Sequence, residues 1–124
     1  MTRFTGYAAV FDAPDRGGDV VRRGAFGTIG DVPLLWQHRG SPVGAIESIG
    51  EDARGLRVVG RIDDPRLAAL VARGAVDGLS FGYRVRRSRR GARRELTAVE
   101  LVEVSLVAQP MQRAARVLAV EGPG

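Results

Sequence analysis

The run Leu101-Val102-Glu103-Val104-Ser105-Leu106-Val107 has the composition and alternation of a β-strand. Successive side chains of a strand point to opposite faces, so Glu103 and Ser105 share one face. The opposite face carries the apolar residues Val102, Val104 and Leu106. We predict a strand over 95–108 that points a carboxylate to a definite side of a sheet.

The rest of the chain repeats this signal as short β-type runs separated by glycine. Six further strands are predicted: Gly6–Phe11, Asp19–Val21, Leu34–His38, Val43–Ile49, Leu56–Ile62 and Gly78–Arg87. Residues Gly50–Gly55 have the composition of a hairpin loop joining two of these strands.

One helix is predicted, and its boundary signals agree at both ends. Asp64 suits the N-cap, Pro65 the first helical position, and Gly74 the position just past the end. Leu67, Leu70 and Val71 form an apolar face of this helix. We expect this face to lie against a sheet. The later segment Pro110–Val120 is moderately helix-prone.

Many short strands and one well-capped helix favour a mainly β (α+β) fold. We expect a compact antiparallel β-barrel with one or two helices packed outside it. The length of 124 residues and the absence of a linker composition predict a single domain over 1–120, followed by a frayed tail at 121–124. Fold class alone indicates no function.

Composition excludes several classes of site. The chain has no cysteine and one histidine, so disulfides, iron–sulfur clusters and the usual zinc sites lack their ligands. Neither a metal nor a cofactor is expected. No stretch approaches the roughly 20 apolar residues that a membrane span requires, and no signal-peptide pattern is present. The expectation is a cytoplasmic protein without membrane contact.

The formal net charge of +5 comes from nineteen arginines, with no lysine. The densest basic segment is Arg84–Arg94, which contains no aromatic residue that could stack on a base. A solvated hairpin loop is the simplest interpretation of this segment. Electrostatic attachment to an acidic scaffold or to DNA is the alternative, and such attachment would weaken steeply with salt.

The single histidine, His38, ends the run Leu34–His38, and Ser80 lies in the segment Gly78–Tyr83. Histidine is the only side chain that ordinarily changes protonation near neutral pH. Any base-assisted chemistry in this chain therefore has very few candidate groups. Trp36, Phe81 and Tyr83 are interpreted as core or barrel-wall aromatics, and a wall of a substrate pocket is an alternative for Tyr83.

Eight segments follow one another in a characteristic order along nearly the whole chain: Gly6–Phe11, Gly18–Val21, Gly24–Phe26, Leu34–His38, Pro42–Gly44, Gly55–Val58, Gly78–Tyr83 and Leu101–Pro110. In these segments and their order the sequence resembles the prohead (capsid maturation) proteases of HK97-type tailed phages, which also occur in gene transfer agents. The resemblance implies a serine endopeptidase inside the immature capsid, cutting the scaffold or the N-terminal segment of the major capsid protein. It also implies a distant relationship to the herpesvirus assemblins.

Matched residue by residue, the resemblance implies that Ser80 is the nucleophile and His38 its base. Glu103 matches an acidic position and is the first choice for orienting His38; Asp19 is the alternative. The assemblins' second histidine has no counterpart here, so an acid replaces it or the site works as a dyad. Gly78 and Gly82 are expected to let a substrate backbone approach Ser80.

Two other functions stay open at this stage. A barrel that has lost proteolysis could bind capsid protein or scaffold as an assembly module, and it would bind without cleaving. A basic nucleic-acid-binding barrel would use Arg84–Arg94 and would be indifferent to Ser80→Ala. If dimerisation shapes the site, the high protein concentration in the procapsid would activate the enzyme through self-association.

Overall fold

The computed structural model describes residues 1–122, which form eight strands and one helix. In chain order these are β1 (Thr2–Val10), β2 (Val20–Val21), β3 (Leu34–Trp36), β4 (Gly44–Glu51), β5 (Gly55–Ile62), α1 (Pro65–Ala72), β6 (Gly78–Arg90), β7 (Arg94–Val107) and β8 (Val117–Glu121). The mainly β fold predicted from the sequence is confirmed.

The first sheet has the strand order β4-β5-β1-β8, and all its pairings are antiparallel. Its inner face contributes Phe4, Leu56 and Val58 to the core. A Cβ on Gly60 would lie 2.5 Å from the Phe4 ring, so this glycine makes room for an aromatic side chain on the neighbouring strand. The predicted hairpin loop at Gly50–Gly55 joins β4 to β5.

The second sheet is built around β7. Strand β6 pairs with one edge of β7 in antiparallel fashion, whereas β2 and β3 both pair with it in parallel. A purely antiparallel arrangement was therefore the wrong prediction. Parallel pairing requires a crossover connection, and the chain between β3 and β7 supplies one by first building β4, β5 and α1.

Backbone hydrogen bonds from the segment 115–117 join the two sheets. The Tyr7 N–H donates to the carbonyl of Arg116 (3.1 Å), and the Leu79 N–H donates to that of Ala115 (3.0 Å). Within residues 1–122 no strand pairing closes either sheet on itself. The structure thus shows two joined sheets, and the predicted closed barrel is not confirmed.

Helix α1 follows the capping signals in the sequence. The Asp64 carboxylate accepts a hydrogen bond from the Leu67 N–H (3.0 Å), and Gly74 has φ +78° just past the helix. Leu67 and Val71 are buried against the sheet. In the part of the chain that the structure describes, no helix has the length and apolar character to cross a membrane.

The segment 110–120 contains turns and most of β8, so its predicted helical tendency was wrong. The buried Gln112 side chain accepts from the Val10 N–H (2.8 Å) and donates to the carbonyls of Val10 and Ala13. These tertiary hydrogen bonds fix an irregular backbone that helix propensity cannot anticipate. Glu121, assigned to the frayed tail, is the last residue of β8; residues 123–124 of that tail lie outside the described residues.

The basic segment is not a loop. Strands β6 and β7 continue as a paired hairpin with register from Arg84↔Glu100 to Arg90↔Arg94, and β2 pairs with its β7 side at Glu95 and Leu96. Residues 84–94 are all exposed, and the Gly91 N–H closes the turn on the Arg93 carbonyl (3.1 Å). We call residues 84–100 the arginine ribbon.

Candidate active site

Strands β6 and β7 bring three of the relevant side chains to one face. Ser80 is directly opposite Ser105 in the register, and Gly82 is opposite Glu103. Directly paired residues of an antiparallel ladder project to the same side. Ser80, Ser105 and Glu103 therefore share a face, as the alternation in the sequence predicted for the last two.

His38 reaches this face from a strained turn. The sequence predicted a strand through His38, but β3 ends at Trp36 and the next two residues, Gln37 and His38, have φ +56° and +63°. The Arg39 N–H closes the turn on the Trp36 carbonyl (3.3 Å). Two consecutive positive φ values resemble a type I′ turn, which normally carries Gly, Asn or Asp. The backbone of Gln37 and His38 thus has an unfavourable conformation, and this conformation sets the position of the imidazole.

The imidazole of His38 meets the carboxylate of Glu103, with Nδ1 2.6 Å from Oε2. A carboxylate can only accept, so Nδ1 carries the proton in this contact; in the neutral imidazole Nε2 then carries the lone pair. Glu103 is buried, whereas the His38 side chain is 40% exposed. The acid is thus fixed inside the fold and the imidazole faces outward.

Ser105 ties these two residues together. Its hydroxyl donates to Oε1 of Glu103 (2.8 Å) and accepts from the backbone N–H of His38 (3.0 Å). One fully buried side chain therefore fixes both the carboxylate and the turn. Sequence reasoning gave Ser105 no role, although its place two residues after Glu103 on the same strand face was the available signal.

Gln37 is a second residue that sequence reasoning missed. Its N–H donates to the Leu106 carbonyl (3.0 Å), and its side-chain oxygen accepts from the Ala108 N–H (2.7 Å). The turn is thereby attached to the end of β7. Nothing in the sequence besides its position before the histidine indicated this function.

Asp19, the alternative acid, lies with a different partner. Both of its carboxylate oxygens accept from Arg94, from Nε at 3.1 Å and from Nη2 at 2.7 Å. The hydrogen bond from Arg94 lowers the pKa of Asp19 below its usual range. The structure brings Glu103, and not Asp19, to His38.

Ser80 is 4% exposed, and within residues 1–122 its hydroxyl makes no hydrogen bond, including none to His38. No fully buried side-chain oxygen or nitrogen in that range lacks a partner, so the hydroxyl keeps contact with solvent. A cavity of about 60 Å³ adjoins Ser80, and its lining includes Phe81, Tyr83 and Asp15. Burial, with the nearby charges of Asp15 and Asp19, raises the pKa of Tyr83.

The glycines that flank Ser80 act within the protein. A Cβ on Gly82 would overlap Oε2 of Glu103 and lie 2.9 Å from its Cδ, and one on Gly78 would lie 2.6 Å from the Val107 carbonyl oxygen. The sequence interpretation was that these glycines admit a substrate backbone. The structure shows that Gly82 makes room for the carboxylate that meets His38.

No group of three or more histidine, cysteine, aspartate or glutamate side chains in the described residues is arranged to hold a metal ion. The side chains gathered on this face are instead a hydroxyl, an imidazole and a carboxylate. These are the group types from which serine nucleophiles are activated.

The family described as Caudovirus prohead serine protease matches residues 1–122. This chain belongs to that family. Among curated proteins, the prohead protease of Enterobacteria phage HK97 is 34% identical over 94 residues, covering 66% of this chain and 42% of that protein. The chain thus spans less than half of the curated prohead protease that it matches.

Solved structures of KSHV protease share the fold of this prohead protease family member. One, in complex with a hexapeptide phosphonate inhibitor, has a TM-score of 0.62 at 14% identity, covering 98% of this chain and 65% of that one. Another has a TM-score of 0.59 at 16% identity, covering 98% and 61%. The resemblance to herpesvirus proteases seen in the sequence is confirmed at the level of the fold.

Proposed function

We propose that this chain is a serine endopeptidase in which Ser80 is the nucleophile, His38 the general base and Glu103 the acid that orients His38. The 2.6 Å contact between His38 and Glu103 carries the proposal. It leaves Nε2 of the only imidazole in the chain free to accept a proton, beside the strand that bears Ser80. Membership of the prohead serine protease family supports the same assignment.

The reaction is acyl transfer in two steps. Ser80 Oγ bonds to the scissile carbonyl carbon while Nε2 of His38 takes the hydroxyl proton and passes it to the leaving amine as the C–N bond breaks. Water then attacks the acyl-enzyme with His38 again as base, which releases the carboxylic acid and restores Ser80. Without a base within reach, the hydroxyl is a weak nucleophile.

Glu103 has two functions in this scheme. It fixes the tautomer with the proton on Nδ1, and its charge stabilises the imidazolium that forms in each step. Ser105 holds the Glu103 carboxylate from the other side, so the acid has one position. The chain needs no second histidine for this arrangement.

The proposed substrate is the N-terminal segment of the major capsid protein, or the scaffold, inside an immature capsid of a phage or a gene transfer agent. Family membership supports this substrate, and it supports a reaction inside the procapsid, within the bacterial cytoplasm. We also propose that self-association in the procapsid promotes activity. A specific activity independent of protein concentration would contradict that part.

The test is co-expression of the chain with the major capsid protein encoded beside it, followed by the intact mass of the capsid protein. The wild type is expected to remove a defined N-terminal segment, and Ser80→Ala to remove none. Ser48→Ala, an exposed serine on β4, is the matched control and should cleave normally. A capsid protein left whole by the wild type would favour the assembly module that binds without cleaving.

A second measurement is independent of the substrate. An alkyl fluorophosphonate reacts with activated serine hydroxyls, so the wild type is expected to gain the mass of one adduct, located on Ser80. Ser80→Ala should gain none, while Ser48→Ala should react like the wild type. Equal labelling of all three proteins would mean that Ser80 is not activated.

A further inference from the structure

The arginine ribbon carries the net charge of the molecule. Residues 84–100 contain seven arginines and two glutamates, an excess of five that equals the formal net charge of the whole chain. The remaining residues hold twelve arginines and twelve acids and are therefore balanced. The excess positive charge of the molecule is thus concentrated on one two-stranded ribbon.

Part of this charge has no internal partner. Arg84 and Arg86 contact Glu100, and Arg89 contacts Glu95. Within residues 1–122, by contrast, no carboxylate lies within 4.0 Å of three other arginines of the ribbon: Arg87, Arg90 and Arg93. Exposed guanidinium groups bind planar oxyanions through paired hydrogen bonds, so the ribbon has unused binding capacity for them.

The ribbon is continuous with the strand that bears Ser80. Strand β6 runs from Gly78 to Arg90, with register shifts near Gly82, Val85 and Arg87, and Arg87 lies seven residues beyond Ser80. At a rise of about 3.3 Å per residue, Arg87 and Arg90 lie at most roughly 23 and 33 Å from the hydroxyl along this strand. An extended peptide bridges that distance with about seven to ten residues.

We infer that the arginine ribbon is an exosite that binds an acidic segment of the substrate polypeptide, about seven to ten residues from the bond that Ser80 cleaves. This inference rests on the proposed function. The ribbon anchors the acidic segment by charge, and the anchored chain presents its neighbouring residues at Ser80. Long-range attraction to the net charge of +5 on the arginine ribbon also orients the approaching substrate.

A polypeptide fits the ribbon better than a nucleic acid. The ribbon has no aromatic side chain on which bases could stack, and Glu95 and Glu100 lie among the arginines, where they would repel a continuous line of phosphates. The acidic side chains of a peptide are separate from one another, so they can contact the arginines without lying next to Glu95 or Glu100. The ribbon arginines already contact three carboxylates of this chain, since Arg94 holds Asp19 in addition.

Binding can be measured without catalysis. The Ser80→Ala chain is titrated into a fluorescein-labelled octaglutamate peptide, and fluorescence anisotropy is read at about 50 and 200 mM salt. The ribbon variant Arg87→Gln/Arg90→Gln/Arg93→Gln is expected to bind about tenfold more weakly at the lower salt. The matched control, Arg57→Gln/Arg66→Gln/Arg73→Gln, loses the same charge from exposed sites elsewhere and should bind like its parent.

Equal weakening in both triple variants would overturn the exosite, because net charge alone would then explain binding. A 20-base-pair duplex that binds through the ribbon at 200 mM salt while the peptide does not bind at 50 mM would also overturn it, in favour of a nucleic-acid surface. Equal urea midpoints of the two triple variants verify that the ribbon substitution leaves the fold intact.

The second arm uses the cleaved capsid protein. Replacing acidic residues seven to ten positions from the cut by glutamine should lower kcat/KM about tenfold with the parent enzyme and leave it unchanged with the ribbon variant. A uniform loss with both enzymes would overturn the exosite. A wild type that cleaves nothing would count against the proposed function, and the anisotropy result would still decide whether the ribbon binds acidic peptide.

Discussion

Strand β7 carries two buried carboxylates, eight residues apart, with opposite kinds of partner. Glu95 accepts from Arg22 Nε (2.9 Å) and from Arg89 Nη2 (3.2 Å). Glu103 contacts the His38 imidazole and the Ser105 hydroxyl instead. In a chain with nineteen arginines and one histidine, Glu103 has no arginine within 4.0 Å among residues 1–122.

The difference in partners indicates different roles for the two acids: Glu95 stabilises the fold, and Glu103 belongs to the candidate site. Arginine does not give up its proton in proteins, so the pairs of Glu95 can hold strands together but cannot move a proton. Histidine gains and loses a proton near neutral pH, so the pair of Glu103 can take part in acid–base chemistry. Each carboxylate also has a glycine beside it, Gly91 for Glu95 and Gly82 for Glu103, which makes the two regions experimentally comparable.

The largest difference is expected between Glu103→Gln and Glu95→Gln in the cleavage of the capsid protein. An amide at 103 disfavours the tautomer with the proton on Nδ1, and turnover is expected to fall by about 10⁴-fold. Glu95→Gln should stay within a few-fold of the wild type. Full turnover in Glu103→Gln would remove this acid from the site, and circular dichroism of both variants serves as the folding control.

The glycines provide the second comparison. A methyl group on Gly82 collides with the Glu103 carboxylate and displaces it from His38, so Gly82→Ala is expected to lower turnover about 100-fold. In Gly91→Ala the added Cβ would lie 2.9 Å from Oε2 of Glu95, with no effect on turnover expected. Similar rates in the two alanine variants would mean that the Glu103 carboxylate tolerates displacement.

Ser105 tests whether the support of Glu103 matters. Ser105→Ala leaves the partly buried His38 N–H and one carboxylate oxygen without their partner, so urea unfolding should show a loss of about 1 to 2 kcal/mol in the free energy of unfolding. Turnover should fall about tenfold because the turn and the acid lose their common attachment. Ser48→Ala is the control for both measurements, and loss of stability without loss of rate would limit Ser105 to a structural role.

The smallest effect concerns the pH dependence of stability at Glu95. The hydrogen bond from Arg22 lowers the pKa of Glu95 below its ordinary value of 4.5, so its contribution to stability is present above that value and is lost as pH falls through the folded-state pKa. The urea midpoint of Glu95→Gln should therefore lie below that of the wild type at pH 7. The two midpoints should converge once the pH lies below the folded-state pKa of Glu95, and a gap that stays constant with pH would contradict the assigned cause.

The sequence predicted the elements whose signals are local. The cap at Asp64, the glycine at 74 and the alternation through Glu103 and Ser105 each depend on neighbouring residues, and the structure confirms them. Tertiary features were less accessible. The parallel pairing of β3 and the irregular backbone around Gln112 both depend on partners far along the chain.

The residues of the candidate site could be selected from the sequence, but the way in which the fold holds them could not. Elimination and resemblance together selected His38, Ser80 and Glu103, because few residues of this chain can perform acid–base chemistry. The positive φ values at Gln37 and His38 could not be predicted, since neither residue favours them. The role of Gly82 was interpreted wrongly as substrate access. Its neighbour across the ladder is Glu103, and that pairing depends on a strand register that the sequence does not specify.

The parallel pairing of β3 with β7 has a consequence for folding kinetics. The hydrogen bonds from His38 to Glu103 and to Ser105 close loops of 65 and 67 residues. Contacts at such separation form slowly, after the entropy of loop closure has been overcome. The chain emerging during synthesis must include β7 before His38 has its partner. The contacts of His38 with Glu103 and Ser105 therefore form only when the whole chain folds, and a nascent or partly folded chain lacks them.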